Sequence, residues 1–112
     1  MSKLAFIFPG QGAQKAGMGK DFYENSETAR SFFDQAQKIL DFDLKEMCFG
    51  EHEELNLTEY TQPCMVSVCL AIVQELKKRG INPDITAGLS LGEYAAVAAA
   101  GGMNELHAIK LV

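Results

Sequence analysis

The 112-residue sequence contains no tryptophan, and it has only three prolines, three cysteines and two histidines. Cys48, Cys64 and Cys69 are odd in number and lack a C-x-x-C spacing. That argues against a disulfide framework and a zinc site, and for buried free thiols. His52 and His107 lie far apart and belong to no metal-binding motif such as H-E-x-x-H, so no structural metal is expected. Basic residues are also scarce: 10 stand against 15 acidic ones, a formal net charge of −5. The densest basic cluster, Lys77-Lys78-Arg79, is no stripe for a nucleic acid and suits the negative end of a helix dipole. No apolar stretch reaches transmembrane length, and the N-terminus lacks the basic region, apolar core and cleavage site of a secretory signal. The expectation is a cytoplasmic protein with neither a membrane nor a nucleic acid as partner.

What is present is enough apolar material for one modest domain, with 47% of residues hydrophobic and 22% charged. Lys3-Leu4-Ala5-Phe6-Ile7-Phe8, stopped by Pro9, reads as a buried parallel strand, central or nearly so. From about Asn25 to Leu40, Ala29, Phe32, Phe33, Ala36, Ile39 and Leu40 recur at helical spacing with Ser26 as cap, which places both phenylalanines in the core. Asp43 to Cys48 predicts a short turn of helix, and Gly50-Glu51-His52-Glu53-Glu54 a solvated acidic loop. A second long helix is expected from Thr61 or Pro63 to Arg79, with Pro63 in its first turn and Gly80 ending it. Asn82-Pro83-Asp84 turns the chain into the short strand Ile85-Thr86-Ala87. Asn104 opens a last helical pattern in which Leu106, Ile109 and Val112 share a face. The alternation predicts an α/β domain with a parallel sheet.

Two glycine-rich segments punctuate this order. Gly10-Gln11-Gly12-Ala13-Gln14 and Gly17-Met18-Gly19 form a loop that lets backbone approach a ligand or another loop. It matches neither G-x-x-x-x-G-K-[ST] nor G-x-G-x-x-G, which disfavours a nucleotide. Gly88-Leu89-Ser90-Leu91-Gly92 is a G-x-S-x-G stretch between a strand and the alanine-rich helix former Glu93 to Ala100, closed by Gly101-Gly102. In that context Ser90 is a nucleophile on a sharp turn. Its competing reading is a helix cap, with Glu93 three residues on as in a capping box. Both stay open on local sequence.

A serine nucleophile needs a base, usually a histidine. His52 sits in the acidic loop and His107 on an amphipathic helix, so the base is not expected within this chain. Oxyanion stabilisation is better represented. The backbone N–H of Leu91 is the donor an elbow supplies, and the N–H of Gln11 could arrive from the loop after the first strand. Ser67, with no base or elbow beside it, reads as a packed hydroxyl.

Phe8-Pro9-Gly10-Gln11-Gly12-Ala13-Gln14, Gly17-Met18-Gly19, Thr61-Gln62-Pro63 and Ala87-Gly88-Leu89-Ser90-Leu91-Gly92-Glu93-Tyr94 together resemble the malonyl-CoA:acyl carrier protein transacylases of bacterial fatty-acid synthesis. The order and spacing are that family's, over the whole chain from residue 2. The resemblance implies that Ser90 takes malonyl from coenzyme A as a serine ester and passes it to the phosphopantetheine thiol of acyl carrier protein. Gln11 and Leu91 would supply the oxyanion-hole N–H groups, with Gln62 in support. It further implies the N-terminal part of an α/β-hydrolase-like parallel sheet domain, lacking the later ferredoxin-like subdomain. Residues 1–112 would be the N-terminal segment of an acyltransferase catalytic domain, truncated on its C-terminal side and inactive alone. No cofactor is implied beyond the coenzyme A thioester as substrate, and the intact enzyme would be a monomer.

Malonate's free carboxylate calls for an arginine fork, and neither Arg30 nor Arg79 matches the family's position for it. Leu89 replaces the histidine common before the family's serine. It leaves Ser90, Leu91 and the glycines intact, and reads as variation rather than loss of function. The alternatives are an acyltransferase domain of a polyketide synthase, against which the start Met1-Ser2-Lys3 just before the first strand argues, and a serine esterase or thioesterase. A truncated binding piece with a degenerate elbow is the non-enzymatic reading.

Overall fold

The computed structural model describes residues 3–112. Strand β1 (Ala5–Phe8) leads through a glycine-rich loop into helices α1 (Lys20–Asn25), α2 (Glu27–Gln37) and α3 (Leu44–Phe49). A 3₁₀ turn (Glu53–Asn56) precedes the long α4 (Thr58–Lys78), which returns the chain to strand β2 (Ile85–Gly88). Helices α5 (Gly92–Ala99) and α6 (Glu105–Leu111) follow. Met1 and Ser2, the proposed start before the first strand, lie outside the described residues.

Hydrophobic burial assembles the helical layer around α4. Phe33, Leu44, Cys48, Cys64, Val66 and Leu70 are almost wholly inaccessible, and Tyr23, Phe33 and Phe49 pack ring on ring at centroid separations of 5.6–5.8 Å. The Ser26 side chain caps α2 by accepting from Ala29 N, and Asn104 caps α6 by accepting from Leu106 N and His107 N. Asp43 caps α3 in the same way. The expected core residues Phe32 and Phe33, and the face of Leu106, Ile109 and Val112, pack as the periodicity indicated. The thiols are free; Cys48 and Cys64 are buried and Cys69 half-buried, with burial pushing Cys69 up to about 11.

Four expectations need correction. Helix α4 begins at Thr58, a turn earlier than expected, because Leu57 is extended and its carbonyl accepts from both Tyr60 N and Thr61 N. Pro63 therefore lies in the second turn rather than the first, and its carbonyl accepts the Ser67 hydroxyl at 2.6 Å. Helix α1 fills Lys20–Asn25, for most of which the sequence pattern indicated no element. The acidic loop is partly ordered, with Leu55 buried inside its 3₁₀ turn. The fourth correction concerns β1, which is not buried on both faces: Phe8 is buried, but Ile7 is 78% exposed. Only one face of the pair is packed by helices among the described residues, so alternate side chains stand in solvent.

The basic cluster also divides its work. Lys77 Nζ reaches Ala99 O at 2.9 Å, placing a cation at the C-terminus of α5 rather than only of its own helix. Arg79 pairs with Glu75 on α4 at 3.5 Å.

The two strands are parallel, registered Ala5↔Ile85 through Phe8↔Gly88, so both end at the same level. The glycine-rich loop and the Gly88–Gly92 corner thus leave the sheet side by side. In open α/β sheets this carboxyl edge is where ligands bind.

Candidate active site at the strand-to-helix corner

Backbone sterics at the corner are severe, and they explain its glycines. A Cβ on Gly88 would lie 2.2 Å from the carbonyl group of Gly92, and one on Gly92 would lie 2.4 Å from Phe8 O. A Cβ on Gly10 would lie 2.6 Å from Leu89 O. These three positions interlock the exits of β1 and β2, and Leu89 N donates to Phe8 O at 3.1 Å across the same seam. No side chain fits at any of them without moving backbone.

Ser90 sits at the apex with φ 52°, the only positive φ at a non-glycine position among the described residues. Left-handed backbone costs an L-residue about 1–2 kcal/mol and marks sites where the surroundings impose it. The conformation also sets aside the capping reading of Ser90. A capping serine adopts extended backbone and accepts a helix N–H through its side chain; here α5 has no side-chain cap, and it is the Ser90 main-chain carbonyl that accepts from Glu93 N at 3.0 Å. Ser90 is exposed and its hydroxyl has no hydrogen-bond partner among the described residues.

Leu91 is buried by its side chain, yet its N–H donates to no acceptor among the described residues. The same holds for the N–H of Gln11. Gln11 lies at an exposed turn in which Ala13 N donates to Gly10 O at 3.3 Å, one residue from Gly10's contact with Leu89 O. The Gln11 turn thus follows directly on the point where Gly10 approaches Leu89, the residue before Ser90. Gln62 is half-buried on α4, one turn beyond Thr58, whose hydroxyl accepts from Gln11 Nε2 at 3.0 Å. Leu89, at the position of the family's histidine, is 73% exposed.

Other chemistry-bearing groups are engaged elsewhere. His52 Nε2 meets Glu46 Oε1 at 3.0 Å on the surface, and His107 is exposed on α6; neither hydrogen-bonds to Ser90. Arg30 bonds the carbonyls of Tyr23 and Glu24 and lies over the Tyr23 ring. Among the described residues no cluster of three or more His, Cys, Asp or Glu side chains could hold a metal ion, and no helix is long and apolar enough to cross a membrane. Thr58 and Asn56, which bond the glycine-rich loop, escaped the sequence reading because nothing in their spacing relates them to residues 11–14.

Comparison with known proteins agrees with this geometry. The acyl transferase domain family matches residues 5–112. A malonyl CoA-acyl carrier protein transacylase of Bacillus subtilis is 46% identical over the whole chain, which spans 36% of that relative. The crystal structure of a malonyl CoA-acyl carrier protein transacylase from Clostridium perfringens superposes with a TM-score of 0.92 at 43% identity, over 98% of this chain and 35% of that one. A malonyl-transacylase in complex with a type II PKS acyl-carrier protein superposes with a TM-score of 0.91 at 38% identity, over 98% and 36% of the two chains. The chain thus spans about a third of the length of the relatives it matches. With a mixed α/β fold, a two-stranded parallel sheet and a strained serine at the strand-to-helix corner, the chain belongs to the acyl transferase domain family.

Proposed function

We propose that these residues form the N-terminal third of an α/β-hydrolase-like acyltransferase that moves malonyl from coenzyme A to acyl carrier protein through a Ser90 ester. The observation that carries the reading is the left-handed backbone of Ser90 at a corner with free N–H groups beside it. In the first half-reaction Ser90 Oγ attacks the thioester carbonyl. Its O–C bond forms, the C–S bond breaks, and coenzyme A leaves as a thiol with the proton that a base took from Ser90. In the second, the phosphopantetheine thiol reverses these steps. The N–H groups of Leu91 and Gln11 stabilise the oxyanion in each; in such sites one donor is worth about 10²–10³ in rate. Gln62 supports the site from α4.

The base and the cation for malonate's carboxylate come from outside residues 1–112, because both histidines and both arginines lie in other environments. The covering ferredoxin-like subdomain belongs to that same remainder. On this reading the enzyme works as a cytoplasmic monomer without a resident cofactor, and the 112-residue chain alone does not turn over. A polyketide carrier protein is the second acceptor to consider, since one structural relative is held in complex with one.

Intact-protein mass spectrometry after brief mixing with malonyl-CoA tests the reading. A full-length acyltransferase carrying this segment should gain one malonyl group, the Ser90→Ala variant none, and the 112-residue chain none at enzymatic rates. Subsequent loss of the adduct to fatty-acid or polyketide carrier protein identifies the acceptor, and loss to water alone identifies an esterase. A correctly folded full-length protein that never acylates at Ser90 would sink the transferase reading.

A further inference from the structure

We infer that Thr58 and Asn56 are positioning residues that hold the Gln11 turn in register with the Ser90 corner. The inference rests on the proposed role of the Gln11 N–H. Between Pro9 and Gly19 the loop has no regular structure, and its Gly10–Ala13 turn closes on one long hydrogen bond of 3.3 Å. Beyond the Gly10 approach to Leu89, Gln11 itself has no backbone hydrogen bond among the described residues to hold it. Two side-chain tethers correct this. Gln11 Nε2 donates to Thr58 Oγ1 at 3.0 Å. Gln14 spans the rest, its Oε1 accepting Gly12 N at 2.7 Å while its Nε2 donates to Asn56 Oδ1 at 3.1 Å.

Both anchors sit where the 3₁₀ turn meets α4, and that corner is itself fixed to the core. Thr61 is fully buried, and its hydroxyl donates to the carbonyls of Leu55 and Leu57 on either side of Asn56. Leu55 is buried as well. A continuous path thus runs from the α4 core through Thr58 and Asn56 to residues 11–14. At its end the Gln11 N–H is left without an acceptor, next to Gly10 and its contact with Leu89 O.

Because Thr58, Asn56 and Gln11 are exposed, their hydrogen bonds add little to folding. Their consequence is geometric. A donor displaced by a fraction of an ångström stabilises the developing oxyanion less while ground-state binding stays the same. Thr58→Val, which keeps the shape and removes the hydroxyl, should therefore lower kcat and kcat/KM for Ser90 acylation together by about tenfold at unchanged KM. Thr58→Ser should restore the rate to within about twofold, and Gln11→Met in the Thr58→Val background should add little further loss, as expected of one shared interaction.

The experiment compares single-turnover acylation by malonyl-CoA for these variants in the full-length acyltransferase, with Ser90→Ala as control. In parallel, backbone order parameters of Gln11 and Gly12 are measured by NMR in the 112-residue chain with and without Thr58→Val. Rate loss rescued by serine, with looser Gln11 and Gly12 amides and unchanged α4 amides, supports the tether. Thr58→Val acylating at the parental rate, or leaving both amides unchanged, overturns it while the Ser90 control keeps the transferase reading intact. Failure of the parent to acylate at Ser90 overturns both.

Discussion

The helical half of the molecule, from Ser26 to Lys78, closes its core, whereas the sheet leaves Ile7 78% and Ile85 60% exposed. The difference follows from how the two kinds of element satisfy themselves. A helix makes its backbone hydrogen bonds internally and needs only neighbours for one stripe, which α2, α3 and α4 provide for one another. A strand needs partners on both edges and cover on both faces, and two strands supply neither. An apolar groove of about 450 Å³ runs between β1 and α4, lined by Phe6, Phe8, Met18, Met65 and Ile72 among others. The candidate site lies on the open side of this contrast, yet its shape is set locally. Gly88, Gly92 and Phe8 approach so closely around the Ser90 turn that no Cβ fits at either glycine.

The largest expected effect breaks the open half alone. Gly88→Ala drives a methyl to 2.2 Å from the Gly92 carbonyl group, in backbone that cannot swing aside. The loss should be on the order of 4 kcal/mol, the range of substitutions that force backbone strain. Hydrogen exchange should show α5 amides losing protection while α2 and α4 keep theirs. Equal loss in all three helices would mean that the halves fold as one unit; unchanged protection in α5 would refute the interlock.

A paired truncation sharpens the same contrast. Leu70 is wholly buried on α4, so Leu70→Ala should cost about 3 kcal/mol through lost transfer energy and a residual cavity. Ile7→Ser, at an exposed position, should change stability by no more than about 0.5 kcal/mol. Urea midpoints of the 112-residue chain read both. A large Ile7 effect would show that the open face is covered in solution, by association of chains.

Legibility in the sequence divides along similar lines. Local chemistry was readable: the Ser26 and Asn104 caps, the 3.6-residue pattern of Ala29, Phe32, Phe33 and Ala36, and the strand–turn–helix corner around Ser90 all depend on residues within a few positions of each other. Helix α1 carried no such signal, because it has only six residues, buries none of them fully, and enters from Gly19 in the left-handed region. The start of α4 was obscured by Pro63, a residue usually met in a first turn; the helix accepts it in the second. The burial of β1 was overread because an apolar run reports what a strand is suited to face, whereas exposure depends on what packs against it. At the site, Ser90 announced itself by its motif. The tethers from Thr58 and Asn56 join residues more than 40 positions apart and follow no period, so only the folded chain brings them together.

The smallest predicted effect lies at the seam inside the closed half. Glu75 is nearly buried on α4, facing Ser26, the residue that caps α2. The Ser26 hydroxyl, followed by the Arg79 charge, holds its carboxyl below the ordinary value of 4.5 against the opposing effect of burial. A carboxyl with a lowered folded pKa binds its proton more weakly in the folded state than in the unfolded one. Its contribution is therefore complete above the ordinary carboxylate range and is lost as pH falls from about 4.5 through the lowered folded value. The other acidic residues titrate too, so the informative quantity is the difference between the parent and Glu75→Gln. Urea midpoints should show the parent more stable at about pH 6 and the gap narrowing toward about pH 3, a window spanning the ordinary carboxylate range. Ser26→Ala removes the α2 cap along with the hydroxyl, so it should lower stability at every pH and also flatten the Glu75-dependent slope. If Ser26→Ala lowers stability but leaves that slope unchanged, Arg79 rather than the serine holds the carboxylate, and the seam between α2 and α4 is joined by the cap and apolar packing alone.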